Sequence, residues 1–138
     1  MNSFCVLGLM SGTSLDGLDI AAVEFTNTNN SWQYKLTATE TVSYPKSLLS
    51  RLKIAVELSI EEHQILDVDF GQFIGEAIND FKTKHLIDIN FVCSHGHTSH
   101  HKPHQGVTQQ LGDAQAIYQK CKIPVINNFR ALDVSLGG

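Results

Sequence analysis

The chain has 138 residues, of which 42% are hydrophobic and 17% charged, and its formal net charge is -4. A chain of this length and composition can bury enough surface for one domain with a hydrophobic core, which excludes the disordered, collagen-like and membrane classes. Its 10 Lys and Arg residues are outnumbered by 14 Asp and Glu residues, so we expect no nucleic-acid partner.

The N-terminal segment predicts a cytoplasmic protein. It has no basic stretch before its apolar run, and Gly8 interrupts that run, so neither a signal peptide nor a membrane span is expected. Three widely spaced cysteines, Cys5, Cys93 and Cys121, are typical of reduced thiols in a core rather than of disulfides.

Three strands are predicted first. Residues 4–10 and 19–26 are apolar runs joined by a segment rich in Gly, Ser, Thr and Asp, which is typical of a hairpin turn. Residues 34–42 alternate between apolar and polar side chains, with Tyr34 and Leu36 beginning the apolar side. This pattern predicts a third strand with one solvent-exposed face.

Two helices are predicted next. After Pro45, hydrophobic residues recur at helical spacing over residues 48–56. Ser59 and Glu62 have the spacing of a capping box, and an apolar stripe follows it over residues 66–81.

The remaining pattern is a strand at residues 90–94, a polar loop, a helix capped by Asp113, and a strand at residues 123–127. Pro124 favours an edge or strand-start position for the last strand. The order of elements predicts a mixed α/β sheet with flanking helices. The last eight residues, ALDVSLGG, contain no predicted closing element, so we expect the chain to be truncated there.

The hairpin segment GLMSGTSLDGLD is the first candidate site. Backbone N–H groups at Gly12 and Gly17 and nearby hydroxyl groups can bind phosphate oxygens. Asp16 can act through Mg²⁺, which accepts carboxylate, water and phosphate oxygens together, and Asp19 can do the same from the second strand. The alternative is a plain hairpin in which Asp16-Gly17 forms a type I′ turn.

The second candidate is SHGHTSHHKPH, which holds five of the seven histidines: His95, His97, His100, His101 and His104. Imidazoles are common zinc and nickel ligands, but neither a paired cysteine motif nor an HExxH helix accompanies them. A metal site and a solvated loop both remain open.

The third candidate is Arg130 in NNFRALDVSLGG. A planar guanidinium can hold a substrate carboxylate or a transferring phosphoryl group in fixed geometry. The alternative is a surface arginine that pairs with Asp133.

These segments together resemble the N-terminal part of the anhydro-N-acetylmuramic acid kinases, sugar kinases of the actin/hexokinase/Hsp70 superfamily. LGLMSGTSLDGLD resembles the family's opening, SHG-x-T followed by T-x-Q-x-GD its middle segment, and FR-x-x-D-V-x-x-GG its third. The chain departs from the family pattern at His97, where many members have Gln, and at Asn128, where Asp is usual.

The resemblance implies a ribonuclease-H-like sheet in residues 1–138, the N-terminal lobe of a two-lobe kinase that lacks its C-terminal lobe here. It implies that ATP and Mg²⁺ are bound by the hairpin: Ser11, Gly12, Thr13, Ser14, Leu15, Asp16 (also the Mg²⁺ ligand), Gly17, Leu18 and Asp19. It implies sugar binding by His97, Thr98, Arg130 and Asp133, with Arg130 also contacting the reacting anion.

The reaction implied is hydrolysis of the 1,6-anhydro bond of anhydro-N-acetylmuramic acid with phosphorylation of O6, in peptidoglycan recycling. The general base is expected beyond Gly138, so this chain alone is expected to be inactive, and the full-length protein to be a homodimer. Two alternatives remain: a non-catalytic sugar- or nucleotide-binding module, and a histidine-rich metal-binding protein.

Overall fold

The computed structural model describes residues 2–138, which form a six-stranded mixed sheet with flanking helices. The strands are β1 (Asn2–Ser11), β2 (Leu18–Thr28), β3 (Ser31–Val42), β4 (Phe91–Lys102), β5 (Val107–Leu111) and β6 (Val125–Ile126). The helices are α1 (Lys46–Lys53), α2 (Ile60–His85), α3 (Ala114–Cys121) and α4 (Phe129–Ser135), with short 3-10 helices at Ala55–Glu57 and Pro103–Gln105.

The strand order is β3-β2-β1-β4-β5, and β6 pairs with the N-terminal part of β4. The first three strands form an antiparallel meander, whereas β4 runs parallel to β1 and to β6. This mixed sheet with flanking helices is the predicted class, that of an actin-like N-terminal lobe.

The core lies between one face of the sheet and α2. Leu7 and Leu9 point from β1 toward Phe70 and Ile74 of α2, and all four are almost completely buried. Helix α2 begins as predicted at a capping box: the Ser59 hydroxyl accepts from the Glu62 N–H at 3.2 Å, and the Glu62 carboxylate accepts from the Ser59 N–H at 3.0 Å.

Strand β3 differs from its predicted alternation because it contains a β-bulge. Ala38 pairs with Ala22, but Leu36 pairs with Val23, so Thr37 is the additional residue. One extra residue reverses the side of the strand that each side chain faces. Leu36 therefore lies 58% exposed on the sheet face opposite the core, while Ala38 packs on the core.

The largest corrections concern the second half of the chain. The histidine stretch is not a loop, because β4 continues through it to Lys102 and then pairs with β5. The predicted final strand is only two residues long, and residues 129–135 form α4 where no closing element was expected. The Asp113 cap of α3 is confirmed, since its carboxylate accepts from the Ala116 N–H at 2.7 Å.

Helix α1 ends earlier than predicted, at Lys53, and Ala55 and Val56 belong to the 3-10 helix that follows. Pro124 immediately precedes β6, as its strand-start prediction required. Within residues 2–138, no helix is both long and apolar enough to span a membrane.

Candidate functional site

The turn between β1 and β2 is longer than a two-residue hairpin. The two strands pair up to Ser11 and Leu18, which leaves residues 12–17 as the connection. The Leu15 N–H donates to the carbonyl oxygen of Gly12 at 3.0 Å, with Leu15 in the left-handed region at φ 55°. The alternative of a type I′ turn at Asp16-Gly17 is therefore wrong, and this six-residue segment is called the phosphate turn below, after the role that the resemblance implies.

Contact with β3 holds the base of the phosphate turn in place. A Cβ atom on Gly17 would lie 2.7 Å from Thr41 Cγ2 and 2.8 Å from the Val42 carbonyl oxygen. The chain can pass so close to β3 only with glycine at this position. The turn then exposes Thr13, Ser14 and Asp16 to solvent.

Two carboxylates belong to this hairpin. Asp16 is exposed in the turn, and Asp19 follows on β2, where its Oδ1 accepts from the Thr41 hydroxyl at 2.6 Å. Residues 2–138 contain no group of three or more side chains that could hold a metal ion by themselves. One or two carboxylates nevertheless fit Mg²⁺ that arrives with a nucleotide, because phosphates and waters supply its other ligands.

A β-bulge in β4 separates His95 from His97. Ser94 pairs with Leu9 of β1 and His97 pairs with Ser11, so β4 uses one residue more than β1 over this stretch. Gly96 occupies the bulge at φ 73°, and a Cβ atom there would lie 2.2 Å from the Leu111 carbonyl oxygen. The bulge turns His97 to the core face and leaves His95 on the opposite face.

His97 is buried beside the last residue of β1. Its Nδ1 lies 3.1 Å from the Ser11 hydroxyl oxygen, which lies 2.6 Å from the Tyr44 hydroxyl. His97 is 4% exposed, and burial lowers its pKa below the ordinary 6.5. It is therefore a neutral hydrogen-bonding group at neutral pH.

A cavity of about 320 Å³, called the turn cavity below, joins the phosphate turn to β4. Five predicted site residues line it: Thr13, Ser14, Leu15, His97 and Thr98. Lys53 and Val56, from the end of α1 and the 3-10 helix after it, form part of its wall. The tertiary structure thus brings two sequence-predicted segments, about eighty residues apart, into one concave site.

Arg130 lies on the other side of the sheet. Its Nε–H donates to His95 Nε2 at 3.1 Å. His95 also lines a cavity of about 650 Å³ with Asp19 and Phe129. No ion pair joins Arg130 to Asp133 among residues 2–138, so that alternative is wrong, and Asp133 is exposed on α4 without lining either cavity.

The remaining histidines of β4 are held by neighbouring hydroxyl groups. Ser99 Oγ lies 2.8 Å from His63 Nε2 and 3.2 Å from His100 Nδ1, and His101 Nδ1 lies 3.2 Å from Thr108 Oγ1. The strand therefore distributes its histidines among separate polar contacts rather than gathering them around one point.

Sequence reasoning did not identify Tyr44 or Gly96. Tyr44 is 33 residues from Ser11 and has no motif of its own, so only the packing of β3 and α1 reveals their contact. Gly96 did carry a signal, since a lone glycine in a strand pattern indicates a bulge or a close backbone approach.

A pH-dependent stability follows from the neutral His97. Because its folded pKa is lower than its unfolded one, only the unfolded chain takes up this proton as the pH falls below 6.5, and stability is lost. We expect His97→Gln to reduce this loss, measured as the free energy of unfolding in urea between neutral and mildly acidic pH. An equal acid-induced loss in wild type and variant would contradict the assignment, and His101→Gln, an exposed site, is the control.

The comparisons with known proteins point to one family. The family model described as anhydro-N-acetylmuramic acid kinase matches residues 4–138. Proteins named anhydro-N-acetylmuramic acid kinase are 35% identical in Francisella tularensis subsp. novicida (98% of this chain, 38% of the relative) and 38% identical in Synechococcus elongatus (96% and 37%). A third, from Shewanella sp. strain ANA-3, is 38% identical over 100% of this chain and 38% of its own length.

The chain thus spans somewhat over a third of the length of these curated relatives. The match includes the phosphate turn, the bulged strand β4 and the segment around Arg130. The chain belongs to the anhydro-N-acetylmuramic acid kinase family.

Proposed function

We propose that residues 1–138 are the N-terminal lobe of an ATP- and Mg²⁺-dependent cytoplasmic kinase for anhydro-N-acetylmuramic acid, which acts in peptidoglycan recycling. The observation that carries the proposal is the turn cavity, in which the phosphate turn forms one wall and the His97-Thr98 segment of β4 forms another. A kinase needs its phosphate donor and its acceptor side by side, and this cavity would supply both kinds of contact.

The phosphate turn would hold the nucleotide's phosphates. Thr13 and Ser14 are exposed hydroxyl donors on a turn whose backbone is held against β3. Such a turn can direct N–H and O–H groups at phosphate oxygens without reorganising. Asp16 and Asp19 would hold the Mg²⁺ ion, which would neutralise charge on the transferring phosphoryl group.

The wall formed by β4 would bind the sugar. His97 is neutral and Thr98 is half-buried, so both offer uncharged hydrogen-bonding groups to hydroxyl and acetamido oxygens. Arg130 is the candidate for an anionic group, either the lactyl carboxylate of the sugar or the transferring phosphoryl group, but it lies on the other side of the sheet, so this contact requires the ligand to extend beyond the turn cavity. Its hydrogen bond to His95 supports its orientation, and Asp133 has no comparable support.

The proposed reaction adds water across the bond between C1 and O6 while O6 takes the γ-phosphoryl group from ATP and ADP leaves. Water attack at C1 requires a general base, which the resemblance places outside these residues. This segment would contribute positioning and charge neutralisation. A non-catalytic binding module is the second candidate, because the two walls would bind ligands whether or not turnover occurs.

Two substitutions in the protein encoded by the whole gene test the two walls separately. Asp16→Asn should lower kcat by about 10²-fold through lost Mg²⁺ positioning, with the sugar KM nearly unchanged. Thr98→Ala should raise the sugar KM about fivefold, the effect of one neutral hydrogen bond, with the ATP KM nearly unchanged. Mass spectrometry of the sugar 6-phosphate measures both.

Asp80→Asn, an exposed aspartate on α2, is the matched control and should leave both constants unchanged. The 138-residue chain alone, assayed beside it, should form no product. Wild-type kcat for Asp16→Asn at low Mg²⁺ would contradict the metal role. Ligand binding by the whole-gene protein without any product would favour the binding module.

A further inference from the structure

Three buried polar side chains from three different segments form a continuous row beneath the turn cavity. Tyr44 precedes α1, Ser11 ends β1 and His97 lies after the bulge of β4. Their exposed fractions are 9%, 1% and 4%, so solvent contributes little to their hydrogen bonding. The two hydroxyl groups and the His97 Nδ1 atom therefore depend on one another for hydrogen bonds.

The direction of these hydrogen bonds follows from counting protons. The Tyr44 hydroxyl has one proton, and Ser11 Oγ is the one side-chain partner recorded for it within residues 2–138. If Tyr44 donates to Ser11, then the Ser11 proton is free to donate to His97 Nδ1. The reverse direction would leave the Tyr44 proton buried without an acceptor, which is costly.

Burial also keeps the tyrosine proton in place. Burial raises the pKa of the Tyr44 phenol, and the nearby carboxylates of Asp19 and Asp16 raise it further. The hydrogen bond with Ser11 lowers this pKa but does not cancel the increase. Tyr44 is therefore a permanent donor at the start of the row.

We propose that Tyr44 and Ser11 are positioning residues that hold His97 as the tautomer protonated at Nε2. Because Ser11 occupies Nδ1, the remaining Nε2–H is the donor that this cavity-lining side chain offers to a ligand. The group recognised must then be an acceptor oxygen, such as a carbonyl or ether oxygen of the sugar. This ligand rests on the proposed function, whereas the tautomer rests on the hydrogen bonds alone.

His95, two residues earlier, provides an internal comparison. Its Nδ1 lies 3.1 Å from the Gly96 carbonyl oxygen, which can only accept, and its Nε2 accepts from the Arg130 Nε–H at 3.1 Å. His95 must therefore carry its proton on Nδ1 when neutral. The strand is expected to hold two histidines of opposite tautomer on its two faces.

Long-range ¹H–¹⁵N correlation spectra of the ¹⁵N-labelled chain test the proposal at a pH where histidine is neutral. We expect a protonated Nε2 and an unprotonated Nδ1 for His97, and the opposite pattern for His95. A predominantly Nδ1-protonated His97 in the wild-type chain would overturn the proposal without any variant.

Tyr44→Phe and Ser11→Ala then test the cause. Tyr44→Phe keeps the ring that packs on Phe70 and Phe73 and removes only the donor. Both variants should lower the ratio of Nε2–H to Nδ1–H tautomer by about fivefold, the effect of one neutral hydrogen bond. An unchanged ratio in both folded variants would overturn the positioning role.

Ser94→Ala is the matched control, because the Ser94 hydroxyl is buried on β4 without a hydrogen-bond partner among the described residues. Ser94→Ala should leave the ratio of Nε2–H to Nδ1–H tautomer at His97 unchanged. A fivefold fall of this ratio in Ser94→Ala would contradict a specific role of Tyr44 and Ser11. A sugar titration separates the two proposals: a correct tautomer without sugar-dependent shifts at His97 contradicts sugar binding there and leaves the tautomer assignment standing.

Discussion

Gly96→Ala is expected to destabilise the folded chain by about 3 kcal/mol or more, because it combines a left-handed backbone with a collision. Gly96 has φ 73°, and the added Cβ would lie 2.2 Å from the Leu111 carbonyl oxygen. Strand β5 cannot move away without breaking its pairing with β4. The free energy of unfolding in urea measures the effect.

Gly106→Ala is the control for the backbone contribution. Gly106 also has a positive φ, 67°, but no heavy atom lies within 4 Å of its added Cβ. It should cost only about 1 kcal/mol, the lower end for a non-glycine residue in this conformation. Equal losses in the two variants would mean that the contact with Leu111 is unimportant.

Gly96→Ala should also displace His97. If the strand relieves the collision by losing its bulge, the residues of β4 after Gly96 exchange faces. His97 then leaves the face of the sheet that Ser11 occupies. Loss of the Nε2–H tautomer signal in whatever fraction remains folded would report this displacement. A retained signal would indicate that the bulge persists despite the substitution.

Phe70→Ala is expected to cost about 3–5 kcal/mol, the range for a fully buried phenylalanine. Phe70 is 0% exposed, and its ring lies 6.1 Å from Tyr44 and 6.1 Å from Phe73, measured between centroids. Its removal would leave a cavity directly beneath Tyr44, so the Tyr44–Ser11–His97 row should loosen as well. Urea unfolding measures the stability change.

Phe129→Ala removes the same atoms from a side chain on α4 that is 45% exposed. It should cost below about 1 kcal/mol, because little buried surface is lost and solvent fills the space. A loss for Phe70→Ala no larger than that of Phe129→Ala would contradict the placement of the core between α2 and the sheet.

Local patterns predicted most of the regular elements. The apolar run of β1, the capping box at Ser59 and the Asp113 cap each depend on residues adjacent in sequence, and all three are confirmed. The FR segment and the hairpin motif indicated the family, which the comparisons confirm. The continuation of β4 beyond residue 94 was not predicted, because its histidines and other polar residues face both sides of the strand and show little hydrophobic periodicity.

The β-bulges at Thr37 and Gly96 explain what local patterns could not predict. At Thr37 and at Gly96, one additional residue reverses which face the following side chains occupy. The alternation of an isolated strand predicts that Leu36 and Ala38 face the same side of the sheet. In the pairing with β2 they face opposite sides. Register is decided by pairing between distant segments, and a sequence pattern does not contain it.

The sequence alone determined that the chain forms a mixed α/β sheet with a turn rich in Gly, Ser and Thr between its first two strands, because apolar periodicity, caps and turn residues act over a few neighbouring positions. The tertiary structure alone decided that Tyr44, Ser11 and His97 meet, and that His95 turns to Arg130 instead. These contacts join residues 33 to 86 positions apart. They exist only because the parallel pairing of β1 and β4, shifted by one residue at Gly96, brings those positions to one end of the sheet.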